Sequence, residues 1–357
     1  MSGLSTERTS VGVVGGGAWG TALAVHCARM GHQVLLWALE PEVVEGINGP
    51  IRENSLYLPG HKCPAGMSAS ASLQEVASSC NLLLLVVPTP FVERTLAPVA
   101  AAFKPDAILV SCTKGILNDT LETPHEILLR VLPRAAHSQL AYLSGPSFAS
   151  EVVAGLPTVV TIAAQEERVA ARVQSLLSTP RFRCYRTTDV IGVELGGALK
   201  NVLAIACGIS DGLSLGNNAR AALITRGLAE ITRLAVAKGA NPLTMGGLAG
   251  MGDLVLTCTG DLSRNRSVGL RLGRGERLAD ITASMHGAVA EGVLTSRAAY
   301  ELSKRLRVEV PIIEGIWRVI HEGEDALTVV ENVMSRELKP ELDMSMLAAM
   351  APSMAFV

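Results

Sequence analysis

The chain has 357 residues, more than one ordinary domain uses and fewer than three, which points to two. Hydrophobic residues make up 48% and charged ones 18%, which excludes a disordered chain; aromatics are only 3%, so the cores must be mostly Ala, Val, Leu and Ile. With 31 Lys and Arg against 33 Asp and Glu the net charge is −2, so no bulk positive field serves nucleic acid, and an anionic ligand must be met by a few local cations.

In chain order, Val11–Gly15 reads as a buried strand, Ala18–Met30 as a helix and Gln33–Trp37 as a second strand. Leu82–Val87 is another strand, closed by Pro88-Thr89-Pro90, then a helix over Phe91–Phe103 and a strand over Ala107–Cys112. Leu140–Ser144 and Thr158–Ala163 complete the strands. Continuous apolar strands separated by helices imply a parallel sheet covered on both faces. From Ile191 the rhythm is helical: Gly192–Ile209, Asn218–Lys238, and weaker patterns at Leu278–Met285, Gly292–Arg305 and Ile312–Gly323. The expected architecture is an N-terminal α/β doubly wound, Rossmann-like domain over residues 1–189 and an all-helical domain over 190–357.

Seven scattered cysteines with no CxxC pair read as buried thiols, not as a disulfide frame or a zinc site, and the histidines show no metal spacing. MSGLSTERTS carries no apolar core of a secretory signal. The apolar runs Leu82–Val87 and Val202–Ile209 fall far short of the ~20 residues that span a bilayer.

The first strand runs into Gly15-Gly16-Gly17-Ala18-Trp19-Gly20, a G-x-G-x-x-G at Gly15, Gly17 and Gly20 that opens a helix. One glycine permits the tight turn, one lets backbone approach a pyrophosphate, one allows close helix–strand packing, and the helix start binds the anion. Glu40, twenty residues after Gly20, is placed either to accept from a ribose 2′-hydroxyl or to serve as a helix N-terminal carboxylate.

Four polar clusters follow. Lys114, in Ser111-Cys112-Thr113-Lys114-Gly115, comes directly after a strand, where ligands of parallel sheets bind; otherwise it is a solvated loop lysine. In Ser144-Gly145-Pro146-Ser147-Phe148-Ala149, Ser147 suits a helix N-cap, and the hydroxyls could also meet a ligand oxygen. Lys200-Asn201 lies in the apolar helix Val193–Ile205, where a cation is costly unless paired or functional; desolvated lysine suits proton transfer. Gly196 and Gly197, one turn earlier, leave room for a ligand. Gly250-Met251-Gly252-Asp253 precedes Leu262-Ser263-Arg264-Asn265-Arg266, which reads by itself as a solvated loop, although Arg binds phosphate bidentately.

Taken in order, these motifs, with Asn218–Gly227 and Glu291-Gly292, resemble the bacterial-type NAD(P)-dependent glycerol-3-phosphate dehydrogenases over roughly residues 11–335. The resemblance implies that Lys200 is the catalytic proton donor and acceptor and that Lys114 lies against substrate and nicotinamide. It implies substrate contacts at Lys114, Gly145, Ser147, Asn201, Asp253, Ser263, Arg264 and Asn265. It implies contacts to NAD or NADP at Ala18, Trp19, Lys114, Ala149, Arg264, Val289 and Glu291, beside the loop glycines. It further implies a cytoplasmic homodimer that acts on a small phosphate substrate and feeds phospholipid synthesis. Ala38-Leu39-Glu40 departs from relatives that carry a basic residue or histidine after the second strand, which leans toward NAD. The apolar tail Met344–Val357 matches no motif; it is expected to dock on the body or on a partner subunit. Two other classes fit the unaided motifs: a related dehydrogenase of β-hydroxyacid type, and a non-catalytic dinucleotide sensor.

Overall fold

The computed structural model describes residues 7–285 and 290–341. The chain divides into two compact units, Met1–Gly197 and Ala198–Val357.

The first unit is an eight-stranded sheet: β1 Ser10–Val14, β2 Gln33–Trp37, β3 Met67–Ser70, β4 Leu82–Leu85, β5 Ile108–Ser111, β6 Leu140–Ser144, β7 Thr158–Ala163 and β8 Phe182–Thr187. Their spatial order is β3-β2-β1-β4-β5-β6-β7-β8. Neighbours pair in parallel except β6 and β7, which run antiparallel, so the wholly parallel sheet expected from the apolar runs holds only as far as β6. Central strands β4 and β6 are buried at every residue, as a sheet covered on both faces requires. The chain reverses its lateral direction between β1 and β4, and the loop leaving β1 lies at that switch point, where doubly wound sheets bind ligands.

Two strands had no counterpart in the apolar runs. β3, Met-Ser-Ala-Ser, and β8, Phe-Arg-Cys-Tyr-Arg-Thr, lie at the sheet edges and bury only alternate residues. The helix expected over Phe91–Phe103 is broken into a short helix, Val92–Leu96, between two 3₁₀ turns. Pro98 falls in the second turn, lacks an N–H and cannot continue an α-helical ladder.

Among the described residues from Val190 on there is no strand. Helix Val190–Gly212 starts in the first unit and runs into the second. It is the one helix among the described residues long and apolar enough to cross a membrane, and it is buried in the fold. In the second unit it crosses helix Arg264–Gly273 in backbone contact. A Cβ on Gly208 would strike Arg266 O, and one on Gly269 would strike Ile205 O. All seven cysteines are buried thiols, and burial pushes Cys27 and Cys184 up to about 12.

Candidate functional site

The glycine loop of the first unit is shaped to receive an anion. Gly15 has φ +127°, a conformation other residues rarely adopt. A Cβ on Gly20 would strike Gly15 O, so the helix Ala18–Arg29 starts hard against the loop. Gly17 faces open space and no side chain caps this helix, which leaves its first-turn N–H groups and positive dipole end for a ligand. Ala18, Trp19 and Ala149 are half-buried against the core of this unit. The loop is held from behind: the buried Asn54 amide donates to Gly16 O at 2.7 Å and to Thr21 Oγ1 at 2.7 Å.

Glu40 sits at the N-cap position of helix Pro41–Asn48, but its side chain makes no cap; it accepts from Tyr57 Oη at 2.8 Å. Leu39 beside it is exposed, and no cation lies in Ala38-Leu39-Glu40.

Lys114 is half-buried rather than solvated. Its Nζ lies 3.5 Å from Gly145 O, the carbonyl to which Ser147 Oγ donates at 3.0 Å. Ser147 is therefore not the N-cap that its position suggests; Phe148 holds that place for helix Ala149–Val153. Gly145 has φ +140°, and a Cβ there would press on Val160 Cα at 3.0 Å. The space at Gly197 is filled from within this unit: a Cβ there would lie 2.5 Å from the buried Ser144 Oγ and 3.6 Å from the Lys114 stem.

The second unit holds the other set. Lys200 is only 7% exposed, which rules out a snorkelling side chain. Its ammonium donates to Asp253 Oδ1 and, at 2.8 Å, to Thr257 Oγ1; Asp253 is 1% exposed. Thr257 in turn donates to Asp253 O at 2.6 Å. Burying two charges is costly, and this pair persists because the charges meet each other and a hydroxyl. The adjacent Asn201 accepts from Asn265 Nδ2 at 2.9 Å and donates to Glu291 Oε2 at 3.1 Å, while Gly292 N donates to Asn265 Oδ1 at 2.9 Å.

Ser263-Arg264-Asn265-Arg266 is not a solvated loop but the start of helix Arg264–Gly273. Ser263 caps it by accepting from Arg266 N at 3.2 Å. Ser263 and Asn265 are buried, Arg264 is exposed on the first turn, and Arg266 is tied to Asp211 and Asp261. Val289 lies outside the described residues.

Thus Lys114, Gly145 and Ser147 form one group, Lys200 and Asp253 a second, and Asn201, Asn265 and Glu291 a third. Sequence reasoning missed Asn54 and Thr257. Thr257 was findable, four residues after Asp253 and on the same helix face. Asn54 was not, because a loop residue 33 positions from Thr21 carries no periodic signal.

A dinucleotide-type sheet carrying a glycine-loop anion cradle, in a chain that also buries a paired lysine, defines the class as a nucleotide-cofactor oxidoreductase. A family model described as NAD-dependent glycerol-3-phosphate dehydrogenase N-terminus matches residues 10–170, and its C-terminus counterpart matches 189–331. The glycerol-3-phosphate dehydrogenase [NAD(P)+] of Geobacter sp. (strain M21) is 53% identical over 331 residues, 93% of this chain and 98% of that one. That of Myxococcus xanthus is 51% identical over 330 residues, covering 92% and 98%. The solved glycerol-3-phosphate dehydrogenase from Coxiella burnetii aligns with a TM-score of 0.86 at 37% identity, over 92% of this chain and 99% of that one. The chain belongs to the NAD-dependent glycerol-3-phosphate dehydrogenase family.

Proposed function

We propose that this chain interconverts glycerone phosphate and sn-glycerol 3-phosphate with NAD(H) or NADP(H), and that Lys200 moves the proton. The observation that carries the reading is the buried Lys200 ammonium, held by Asp253 and Thr257, in a chain of this family.

The residues around the Gly15–Gly20 loop fit a dinucleotide, because the cradle is open at Gly17 and the helix start is uncapped. Gly15, Gly17, Ala18, Trp19 and Gly20 would hold its pyrophosphate, Glu40 a ribose hydroxyl, and Lys114, Ala149, Arg264, Val289 and Glu291 would make further contacts. The nicotinamide supplies or accepts the hydride. Lys200 gives a proton to the substrate's C2 oxygen on reduction and takes it back on oxidation, and its charge stabilises negative charge developing on that oxygen. Asp253 and Thr257 keep Nζ in one place. Arg264 binds the substrate phosphate, with Ser263 and Asn265 shaping the helix start that carries it. Lys114, Gly145, Ser147 and Asn201 complete the substrate contacts. The absence of a cation in Ala38-Leu39-Glu40 favours NAD over NADP.

Residues 1–189 serve the cofactor, and residues 190–357 serve the substrate and dimerisation. The protein works as a cytoplasmic homodimer that supplies phospholipid synthesis. The related β-hydroxyacid dehydrogenase and the dinucleotide sensor fall behind this reading because neither accounts for the family match.

Lys200→Met is expected to lower kcat by at least ~10²-fold, as loss of a positioned proton donor does, while NADH binding followed by fluorescence is retained. Turnover within a few-fold of the parent, in a variant that still folds and binds NADH, contradicts the assignment.

A further inference from the structure

The tail Met344–Val357, expected from the sequence to dock, lies outside the described residues. Within them, the loop after helix Pro41–Asn48 makes contacts that the proposed chemistry leaves without a role. Asn54 of this loop backs the glycine cradle through its amide. Its own Oδ1 accepts from Tyr57 N at 3.2 Å, and its backbone O accepts from Leu58 N at 2.9 Å. The stretch Asn54–Leu58 is thereby fixed to the cradle, with Tyr57 near its end.

The Tyr57 ring fills no core; the residue is 41% exposed. Its hydroxyl reaches to the chain leaving β2 and donates to Glu40 Oε1 at 2.8 Å. Burial raises the Tyr57 phenol above its ordinary range, and the hydrogen bond and negative charge of Glu40 add to it, so the hydroxyl keeps its proton and acts as the donor at neutral pH. Glu40 is half-buried and makes no cap for its helix. Among the described residues no lysine or arginine pairs with it, and its Oε2 accepts from none of them. A glutamate near the surface samples several rotamers, and fixing one costs entropy; the bond to Tyr57 removes that freedom before a ligand arrives.

We propose that Tyr57 is a positioning residue that sets the cofactor preference: it holds the Glu40 carboxylate where that group accepts from an adenosine ribose 2′-hydroxyl and repels a 2′-phosphate. This rests on the reading of Glu40 as a ribose contact. A 2′-hydroxyl has a proton to give a carboxylate, whereas a 2′-phosphate brings like charge against an anion with no cation beside it. The discrimination depends on Glu40 staying in place. A free glutamate turns away from a phosphate at little cost, but one tied to Tyr57 must break that bond to do so. Through Asn54 and Tyr57, one short stretch of the first unit sets both the pyrophosphate cradle and the ribose carboxylate.

The test measures dissociation constants for NADH and NADPH by fluorescence titration in the parent, Tyr57→Phe, Glu40→Gln and the double variant, with thermal unfolding as the check on folding. Tyr57→Phe is expected to lower the ratio of the NADPH constant to the NADH constant roughly three- to ten-fold, as loss of one hydrogen bond does. Glu40→Gln is expected to lower it further, and the double variant to match Glu40→Gln alone, since Tyr57 acts through Glu40. General damage to the loop weakens both cofactors alike and leaves the ratio unchanged. That outcome in Tyr57→Phe, with a lowered ratio in Glu40→Gln, overturns the proposal while the ribose reading of Glu40 stands. Equal ratios in all four proteins overturn both. Effects that add in the double variant also overturn the proposal, because Tyr57 then acts on the cofactor without Glu40.

Discussion

Behind the glycine loop, one amide holds two oxygens: Asn54 donates to Gly16 O and Thr21 Oγ1 and is wholly buried. Asn54→Ala leaves Gly16 O and Thr21 Oγ1 in a buried pocket with only the 3.3 Å hydrogen bond between them, at a cost of roughly 1–3 kcal/mol. The cradle then loses its backing, so the dissociation constant for NADH is expected to rise at least several-fold while the variant remains folded. An unchanged constant by fluorescence titration would show that the loop keeps its shape without Asn54. At this scale, the glycine loop and the costly burial of Lys200 were legible because each breaks a local expectation: glycine opening a helix, or charge in an apolar run. The N-cap reading of Ser147 and the solvated-loop reading of Ser263-Arg264-Asn265 failed: Ser147 bonds Gly145 O and Ser263 caps a helix, and a hydroxyl near a helix start can bond several backbone atoms among which the sequence does not choose.

Among the elements, helix Pro311–Trp317 starts on an unusual support. Glu230, buried in helix Gly216–Ala237, accepts from Ile312 N at 2.8 Å and Ile313 N at 3.1 Å. Burial pushes its carboxyl up to about 7 from an ordinary 4.5, against the pull of those two N–H groups and of Arg233 and Arg336. The folded chain therefore holds a proton that the unfolded chain gives up at lower pH. The resulting stability is full below about 4.5 and is lost as pH rises through about 7. The gap corresponds to roughly 3 kcal/mol. Glu230→Gln keeps an acceptor for the helix start but cannot ionise. It should flatten stability against pH between about 4.5 and 7 and raise Tm at pH 8 relative to the parent. Parallel pH profiles for the two proteins would remove Glu230 from the account.

Strands were legible where apolar residues follow one another without interruption. β2, β6 and β7 fall where their apolar runs place them, whereas the edge strands β3 and β8 were lost because polar residues interrupt them, Met-Ser-Ala-Ser and Phe-Arg-Cys-Tyr-Arg-Thr, and leave no continuous apolar run. The antiparallel pairing of β6 with β7 had no local signature, since strand direction is set by how the chain returns to the sheet.

For the whole molecule, the change from strand-bearing to helical rhythm near residue 190 was legible, and contact divides the chain after Gly197, inside helix Val190–Gly212. The pairing of Lys200 with Asp253, 53 residues apart, was not legible, because no local pattern joins residues so distant. The central claim concerns the reaction. Purified protein mixed with glycerone phosphate should oxidise NADH, seen as falling absorbance at 340 nm. The account predicts a higher kcat/KM with NADH than with NADPH, and little turnover of unphosphorylated glycerone. No oxidation of either cofactor, by protein that still binds NADH, would contradict it.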